Sequence, residues 1–273
     1  MPQSSLLRIA DVHAVFQLVG ECRELGDDPI VWRRHLLAET ARLVGAAVAN
    51  EYEGVFLDPF QITGLVDWGW ETSGLDREIF LRVNEEFVRR GGGFNPMVPA
   101  YFAARQAGRG PCLRRSDMLP DAPWYSSCYY QDYHGPSGAD GMMYCILPVL
   151  GSGDNLSAYV LVRPLGDRDF TARQKAFVQE LHEKITVLIN GPLAGFHEPS
   201  PSALLPRVRQ TLQCLLEGDS DKQIAARLGL SRFTVNQYTK VIFAHFGVSG
   251  RAELLARWIR RGWGNKCAWV NLL

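Results

Sequence analysis

The chain has no net charge: 29 Lys and Arg balance 29 Asp and Glu, so the sequence as a whole singles out no strongly charged partner. Lysine is missing from the first 174 residues, Lys175 being the first. An aspartyl-phosphate relay needs a lysine to pair with the phosphate and an acceptor aspartate at the end of an apolar strand. Asp27-Asp28 is followed by a helical pattern and not preceded by such a strand, so control by aspartyl phosphorylation is not expected. No run of roughly 18 apolar residues is present, which argues against a hydrophobic membrane span. The N-terminal MPQSSLLRIADVH lacks a basic segment leading into a long apolar stretch, so no secretory leader is expected and the protein is read as cytoplasmic.

Paired cysteines are absent too. Cys22, Cys112, Cys128, Cys145, Cys214 and Cys267 are scattered without a C-x-x-C pair and without clustering near the six histidines. This spacing suits free, buried thiols in a reducing compartment and neither a disulfide framework nor a zinc site. No Gly-rich phosphate loop, G-x-S-x-G elbow or H-E-x-x-H helix occurs. Asp132 and His134 lie close to Ser126, Ser127 and Cys128, but these form no recognisable nucleophile motif. No catalytic residue, metal or cofactor is therefore expected, and the chain is not read as an enzyme.

What is present is an asymmetry. Residues 1–203 hold 18 Lys/Arg against 25 Asp/Glu, whereas residues 204–273 hold 11 against 4. At 273 residues and 47% hydrophobic, the chain is long and apolar enough for two cores. The basic end contains Asp221–Lys240, DKQIAARLGLSRFTVNQYTK, which reads as two short helices broken at Leu-Gly-Leu-Ser. Ile224, Ala225 and Leu228 share one face of the first helix. Gly229 supplies a turn that tolerates positive φ, and Ser231 can cap the second helix. That second helix turns Val235, Tyr238, Ile242 and Phe246 inward. Phe233, Asn236, Gln237, Lys240 and Ala244 fall on its opposite face, where amide and ammonium groups suit the donor and acceptor pattern of the DNA major groove. A helix upstream buries Val208, Leu212, Leu215 and Leu216. One downstream, capped by Ser249, buries Leu254, Leu255, Trp258 and Ile259.

The order L-P-R-x-R, the leucine pair, E-G, K-Q-I-A-A-R-L-G-L-S, T-V, F-G-V-S and R-A-E-L-L-A resembles the four-helix DNA-binding domain of LuxR/FixJ-type transcription regulators. The resemblance implies double-stranded DNA as partner, with Asn236, Gln237 and Lys240 entering the groove beside Ser231, Phe233 and Thr234. Relatives often carry a basic pair near the end of this helix, where this chain has Ala244 and His245. That departure shifts phosphate anchoring to Lys222, Arg232 and Arg251. A single recognition helix reads few base pairs, so a homodimer on two half-sites is expected. Trp263 and Trp269, beyond the four-helix unit, are expected to be partly exposed and available to such a dimer.

The first 190 residues read as an α+β domain: helices over 12–25 and 29–44, strands over 46–53 and 61–70, and a helix over 75–90 stopped by Gly91-Gly92-Gly93. A proline-containing irregular stretch follows, then strands over 141–150 and 156–164 joined by GSGDN, and a helix from Thr171 to about Ile189. The expected fold class is an antiparallel sheet with helices packed on it, followed by an all-α helix-turn-helix domain. The expected boundaries are 1–190 for a sensor-like domain, 191–203 for a linker, 204–264 for the DNA-binding domain and 265–273 for a tail. The order of elements resembles a GAF or PAS-like sensor domain, which implies a small-molecule effector. Trp124, Tyr125, Tyr129, Tyr130 and Tyr133, in WYSSCYYQDYH, are the candidate pocket residues, with Trp68 and Trp70 sharing one face of a strand. The same aromatics equally fit a surface loop folded over the sheet. Family members that sense acyl-homoserine lactones use a Trp, Tyr and Asp set that does not map onto this sequence, so such a ligand is a minor expectation. The alternative for the whole chain is a scaffold or dimerisation protein whose helical tail binds protein.

Overall fold

The computed structural model describes residues 7–56 and 61–263. They form two compact units, one from residues up to Gly20 together with Arg33–Ile189, the other from Glu21–Trp32 together with the residues from Asn190 onward. In chain order the N-terminal elements are α1 (Ile9–Glu24), α2 (Val31–Val44), β1 (Val48–Val55), β2 (Gln61–Trp68), α3 (Trp70–Ser73), α4 (Arg77–Arg90), α5 (Met97–Gln106), β3 (Cys112–Arg114), α6 (Arg115–Met118), α7 (Asp121–Tyr125), α8 (Gly135–Ser137), β4 (Ala139–Pro148), β5 (Leu156–Pro164) and α9 (Ala172–Thr186). The C-terminal elements are α10 (Pro206–Leu216), α11 (Asp221–Leu228), α12 (Arg232–Phe246) and α13 (Arg251–Arg261).

The strands form one antiparallel sheet in the order β2-β1-β5-β4-β3. Successive side chains of a strand point to opposite faces, and the central strands β1 and β5 are buried on both. On one face Asn50 and Tyr52 of β1, Met142, Tyr144 and Ile146 of β4, and Ala158, Val160 and Val162 of β5 surround a cavity. On the other, Glu51 and Glu53 of β1 meet the guanidinium of Arg33 from α2, all three side chains being almost wholly buried. Arg33 Nε lies 3.4 Å from Glu51 Oε1, and Arg33 also pairs with Glu53. Ser157 of β5 donates to Glu51 Oε1 at 3.2 Å and meets His182 Nε2 of α9 at 3.0 Å. The imidazole stacks on Tyr159 with centroids 3.7 Å apart. Burial pushes the Glu51 carboxyl up to about 7 against the pull of Arg33, and pushes His182 down to about 3.

Several elements differ from the sequence reading. Trp68 and Trp70 do not share a strand face: β2 ends at Trp68, Gly69 takes φ 97°, and Trp70 opens the short helix α3. The proline-containing stretch is structured. Pro99 sits in the first turn of α5, where a missing N–H leaves no helical bond unmade. Tyr130–His134 forms one turn of π-helix, so the aromatic segment is not a surface loop. Among the cysteines Cys22, Cys112, Cys145 and Cys214 are buried, but Cys128 is exposed; Cys267 lies outside the described residues. The α9 cap follows expectation, Thr171 Oγ1 accepting from Gln174 N and Gln174 Oε1 from Thr171 N.

In the C-terminal unit α10 to α13 enclose Val208, Leu212, Leu215, Ile224, Val235, Ile242, Phe246, Leu254 and Trp258. Ser220 and Gln223 form a capping box at α11, Gly229 takes φ 65° at its end, and Ser231 Oγ accepts from Thr234 N at 3.0 Å to start α12. At α13 the cap is Gly250, with Ser249 one residue outside it and bonded through N–H and Oγ to Glu253. Ile259 is 71% exposed, not inward. Trp263 is buried at 3%, its ring edge-on to Trp258 and its Nε1 donating to Pro192 O at 2.8 Å, which corrects the expected exposure. Trp269 lies outside the described residues.

Residues 191–203, read as a linker, carry a dense set of bonds within this unit. Glu198 accepts from Arg257 at 3.2 Å and pairs with Arg261 at 2.7 Å, and its carboxylate is only 3% exposed. Trp32 Nε1 donates to Ala194 O, and His245 Nε2 lies 2.9 Å from Ser200 O. Asp28 Oδ2 accepts from Ser200 Oγ and Ser202 N. Burial pushes the Asp28 carboxyl up, but these bonds and those from Ile30 and Val31 N–H outweigh it and hold it below its ordinary value.

His182 gives a linkage test. A histidine neutral in the fold and protonated near 6.5 once unfolded contributes stability fully above that value, and the contribution is lost as pH falls toward 3. Glu51 acts in the opposite sense between 4.5 and about 7. His182→Gln keeps an amide for Ser157 and removes one titrating group. In urea unfolding of the full-length protein, its stability is expected to fall less steeply between pH 6 and 4, by about 1.4 kcal/mol per pH unit. An unchanged slope would rule out a buried neutral His182.

Candidate nucleic-acid interface and interior cavity

The face of α12 turned away from the core carries Phe233, Asn236, Gln237 and Lys240, all exposed, with Phe233 at 74%. Val235, Ile242 and Phe246 on its other face are buried, so the amphipathic pattern fixes which residues point outward. Among the described residues, the side-chain amides of Asn236 and Gln237 make no hydrogen bond and Lys240 no ion pair. They present donors and acceptors with no internal partner, as base readout requires. Ser231 and Thr234 are engaged with one another at the helix start, their hydroxyls 2.9 Å apart.

The basic residues of this unit divide into two groups. Lys222 and Arg232, like Arg207, Arg209 and Arg260, are exposed and carry no ion pair among the described residues, which suits phosphate contact. Arg227 pairs with Glu217 and with Asp219 at 3.0 Å. Arg251, expected as an anchor, donates to the carbonyls of Leu215 and Asp219 and so closes the end of α10.

The cavity in the N-terminal unit lies between the sheet and the segments running from Trp70 to Ser137. About 100 Å³ is open to the centres of water-sized molecules. Of the candidate ligand residues, Trp70, Tyr129 and Tyr133 line it. Trp68, Trp124, Tyr125 and Tyr130 do not. Trp124 is fully buried, its ring against Tyr130 and His134. The Tyr125 hydroxyl is bonded to Asp140 at 3.1 Å. Sequence reasoning missed Tyr52, Tyr101, Tyr144 and His134 as lining residues. Strand alternation was the available signal for Tyr52 and Tyr144. His134 is 8% exposed, its Nδ1 is buried without a hydrogen-bond partner, and burial lowers its pKa to about 4.

Residues 202–258 match the family GerE, bacterial regulatory proteins of the luxR family. The C-terminal unit therefore carries a LuxR-family helix-turn-helix DNA-binding domain. No curated protein matches the sequence. Among solved structures the chain is similar to Escherichia coli SdiA, at 12% identity over 83% of this chain and 87% of that one, with a TM-score of 0.38. It is also similar to the VqsR LBD domain from Pseudomonas aeruginosa, at 17% identity over 62% of this chain and 94% of that one, TM-score 0.41. A complex of SdiA with octanoyl-rac-glycerol matches at 12% identity over 90% and 88% of the two chains, TM-score 0.36. Identities and scores this low carry no function across.

Asn236→Ala and Gln237→Ala are expected to leave the fold intact and to relax base preference at particular positions. Each bidentate base contact discriminates by roughly 1–3 kcal/mol. A binding-site selection that returns the parent preference with both variants would remove these residues from the readout.

Proposed function

We propose that this chain is a sequence-specific transcription regulator that binds DNA through α12 as a homodimer and responds to a small molecule held in its N-terminal unit. The observation that carries the first part is the row of unpartnered Asn236, Gln237 and Lys240 on the outward face of α12. The N-terminal cavity supports the second part: an interior site walled by aromatic side chains, with few polar groups, is the usual form of a ligand pocket. A GAF or PAS-like sensor character for residues 1–190 belongs to the same reading, as do a non-catalytic role and a cytoplasmic location. Among the described residues, no helix is long and apolar enough to cross a membrane. The scaffold alternative is not favoured, since it gives the exposed amide row and the luxR-family match no role.

Control requires that the effector bind one state of the protein better than another, because equal affinity shifts nothing. Dimerisation follows from the few base pairs that one helix reads.

With Lys240 turned to the bases, Lys222 and Arg232 supply about two phosphate contacts per protomer. For a dimer these contribute about −4 to the slope of log affinity against log salt, from roughly −0.9 per phosphate. Gel retention on genomic DNA across a salt series is expected to show it, and Lys222→Ala is expected to weaken binding to all sequences alike and to make the slope shallower by about 1 per altered phosphate contact. Salt-independent retention, or sedimentation of monomers alone on operator DNA, would overturn the reading.

A further inference from the structure

The outward face of α12 carries one side chain that can neither donate nor accept a hydrogen bond. At about 100° per residue, Asn236, Gln237 and Lys240 span an arc of about 100°, and Phe233 falls inside it, about 20° from Lys240. Val241, the other large apolar side chain exposed on α12, falls outside that arc. Among the described residues Phe233 is the most exposed large apolar side chain of the C-terminal unit. It stands apart from the core that Val235, Ile242 and Phe246 help to build. An aromatic ring left in water forgoes the stabilisation that burial would give, and the fold offers this one no place to bury. Phe233 is also the second residue of the helix, which starts at Arg232 under the Ser231 cap. The N-terminal residues of a recognition helix are the ones that reach base edges.

The chemistry of the groove decides what such a ring can meet. Each base pair shows donors and acceptors there, and of the four bases thymine alone adds an apolar group, its C5 methyl. Pressed against the polar edge of guanine, adenine or cytosine, the ring would strip water from donors and acceptors and give them no partner. Against a thymine methyl it removes apolar surface from water on both sides. The ring therefore discriminates by attraction toward one base and by a penalty toward the other three.

We propose that Phe233 is a specificity-determining residue that reads the C5 methyl group of a thymine in the major groove. The proposal rests on the DNA-binding reading of α12 and deepens it, naming one chemical group that the surface recognises. About 6 Å of helix axis separates Phe233 from Gln237, and base pairs are stacked about 3.4 Å apart. The thymine therefore lies within about two base pairs of the position that Asn236 or Gln237 reads. 5-Methylcytosine carries the same group at the same ring position, so Phe233 also tells it from cytosine.

The test uses the full-length protein. Binding-site selection supplies the preferred duplex, and each of its thymines in turn is replaced by deoxyuridine, which removes the methyl group and leaves the base pair. Gel retention is expected to show one thymine per half-site at which this replacement weakens binding by about 4-fold, the worth of burying one methyl-sized group. Phe233→Ala is expected to bind the thymine and deoxyuridine duplexes equally, whereas Phe233→Leu, still apolar, keeps a preference for thymine. With cytosine placed at the same position, the parent is expected to favour the 5-methylcytosine duplex by a similar factor and Phe233→Ala to favour neither. Thermal unfolding checks that both variants keep the parent stability, as the exposure of the ring requires. Deoxyuridine tolerated at every thymine overturns the methyl assignment and leaves DNA binding standing. A methyl preference that survives in Phe233→Ala overturns it too, since another side chain then reads the group. A parent protein that selects no preferred sequence overturns the DNA-binding reading and the proposal with it.

Discussion

The pleat of β1 is the constraint on which the N-terminal unit depends. Across Asn50-Glu51-Tyr52-Glu53 the side chains alternate between the two faces of a sheet that is covered on both sides. Asn50 and Tyr52 go to the cavity, whereas Glu51 and Glu53 go to Arg33. A one-residue slip in register would exchange the two sets and bring two carboxylates among the cavity aromatics. Pairing with β2 and β5 on either side holds the register, so the cavity stays free of charge because the glutamates have somewhere else to go.

That arrangement explains why both buried polar clusters in this unit are neutral or compensated. Arg33 is the only cation facing Glu51 and Glu53 in the described network, so one carboxylate of the pair is left short of compensation. Burial answers by pushing Glu51 up to about 7. His182, beyond Ser157, stays neutral for the same reason, and so does His134 on the cavity side. Removing Arg33 alone would leave two buried carboxylates unpaired, a far more damaging change than replacing the whole cluster with apolar groups of equal volume.

How much was legible in the sequence depended on whether local rules decided the outcome. The strand 156–164 came out as read, and the helix opened by Thr171 began where read although it ends at Thr186 and not near Ile189, because strand patterning and an N-terminal threonine are local signals. The outward face of α12 was equally legible, fixed by the spacing of Val235, Ile242 and Phe246. Helix α5 was missed because Pro99 looks like a breaker, although in a first turn it breaks nothing. Strand β3 has three residues and exists only through pairing with β4, a partner some thirty residues away that no local window contains. The shared face expected for Trp68 and Trp70 failed at Gly69, whose positive φ turns the chain between them. Residues 191–203 have the composition of a linker, yet Glu198, Ser200 and the carbonyls of Pro192 and Ala194 bond to groups far away in sequence. Trp263 is buried through the same long-range partnership.

The charge asymmetry of the sequence also changes meaning once partners are assigned. The excess of 11 Lys/Arg over 4 Asp/Glu after residue 203 suggests a broadly cationic DNA-binding surface. In the fold much of that charge is structural: Arg227 is tied to Glu217 and Asp219, Arg257 and Arg261 to Glu198, and Arg251 to the carbonyls that end α10. Arginine suits these tasks, because its planar fork can satisfy two acceptors at once. Lys222, Lys240, Arg207, Arg209, Arg232 and Arg260 stay on the surface with no ion pair among the described residues. Such cations give the module affinity for any DNA without choosing among sequences. Its discrimination among sequences must therefore come from the uncharged side chains on α12, Asn236 and Gln237 foremost, with the exposed ring of Phe233 beside them suited to the methyl group of thymine.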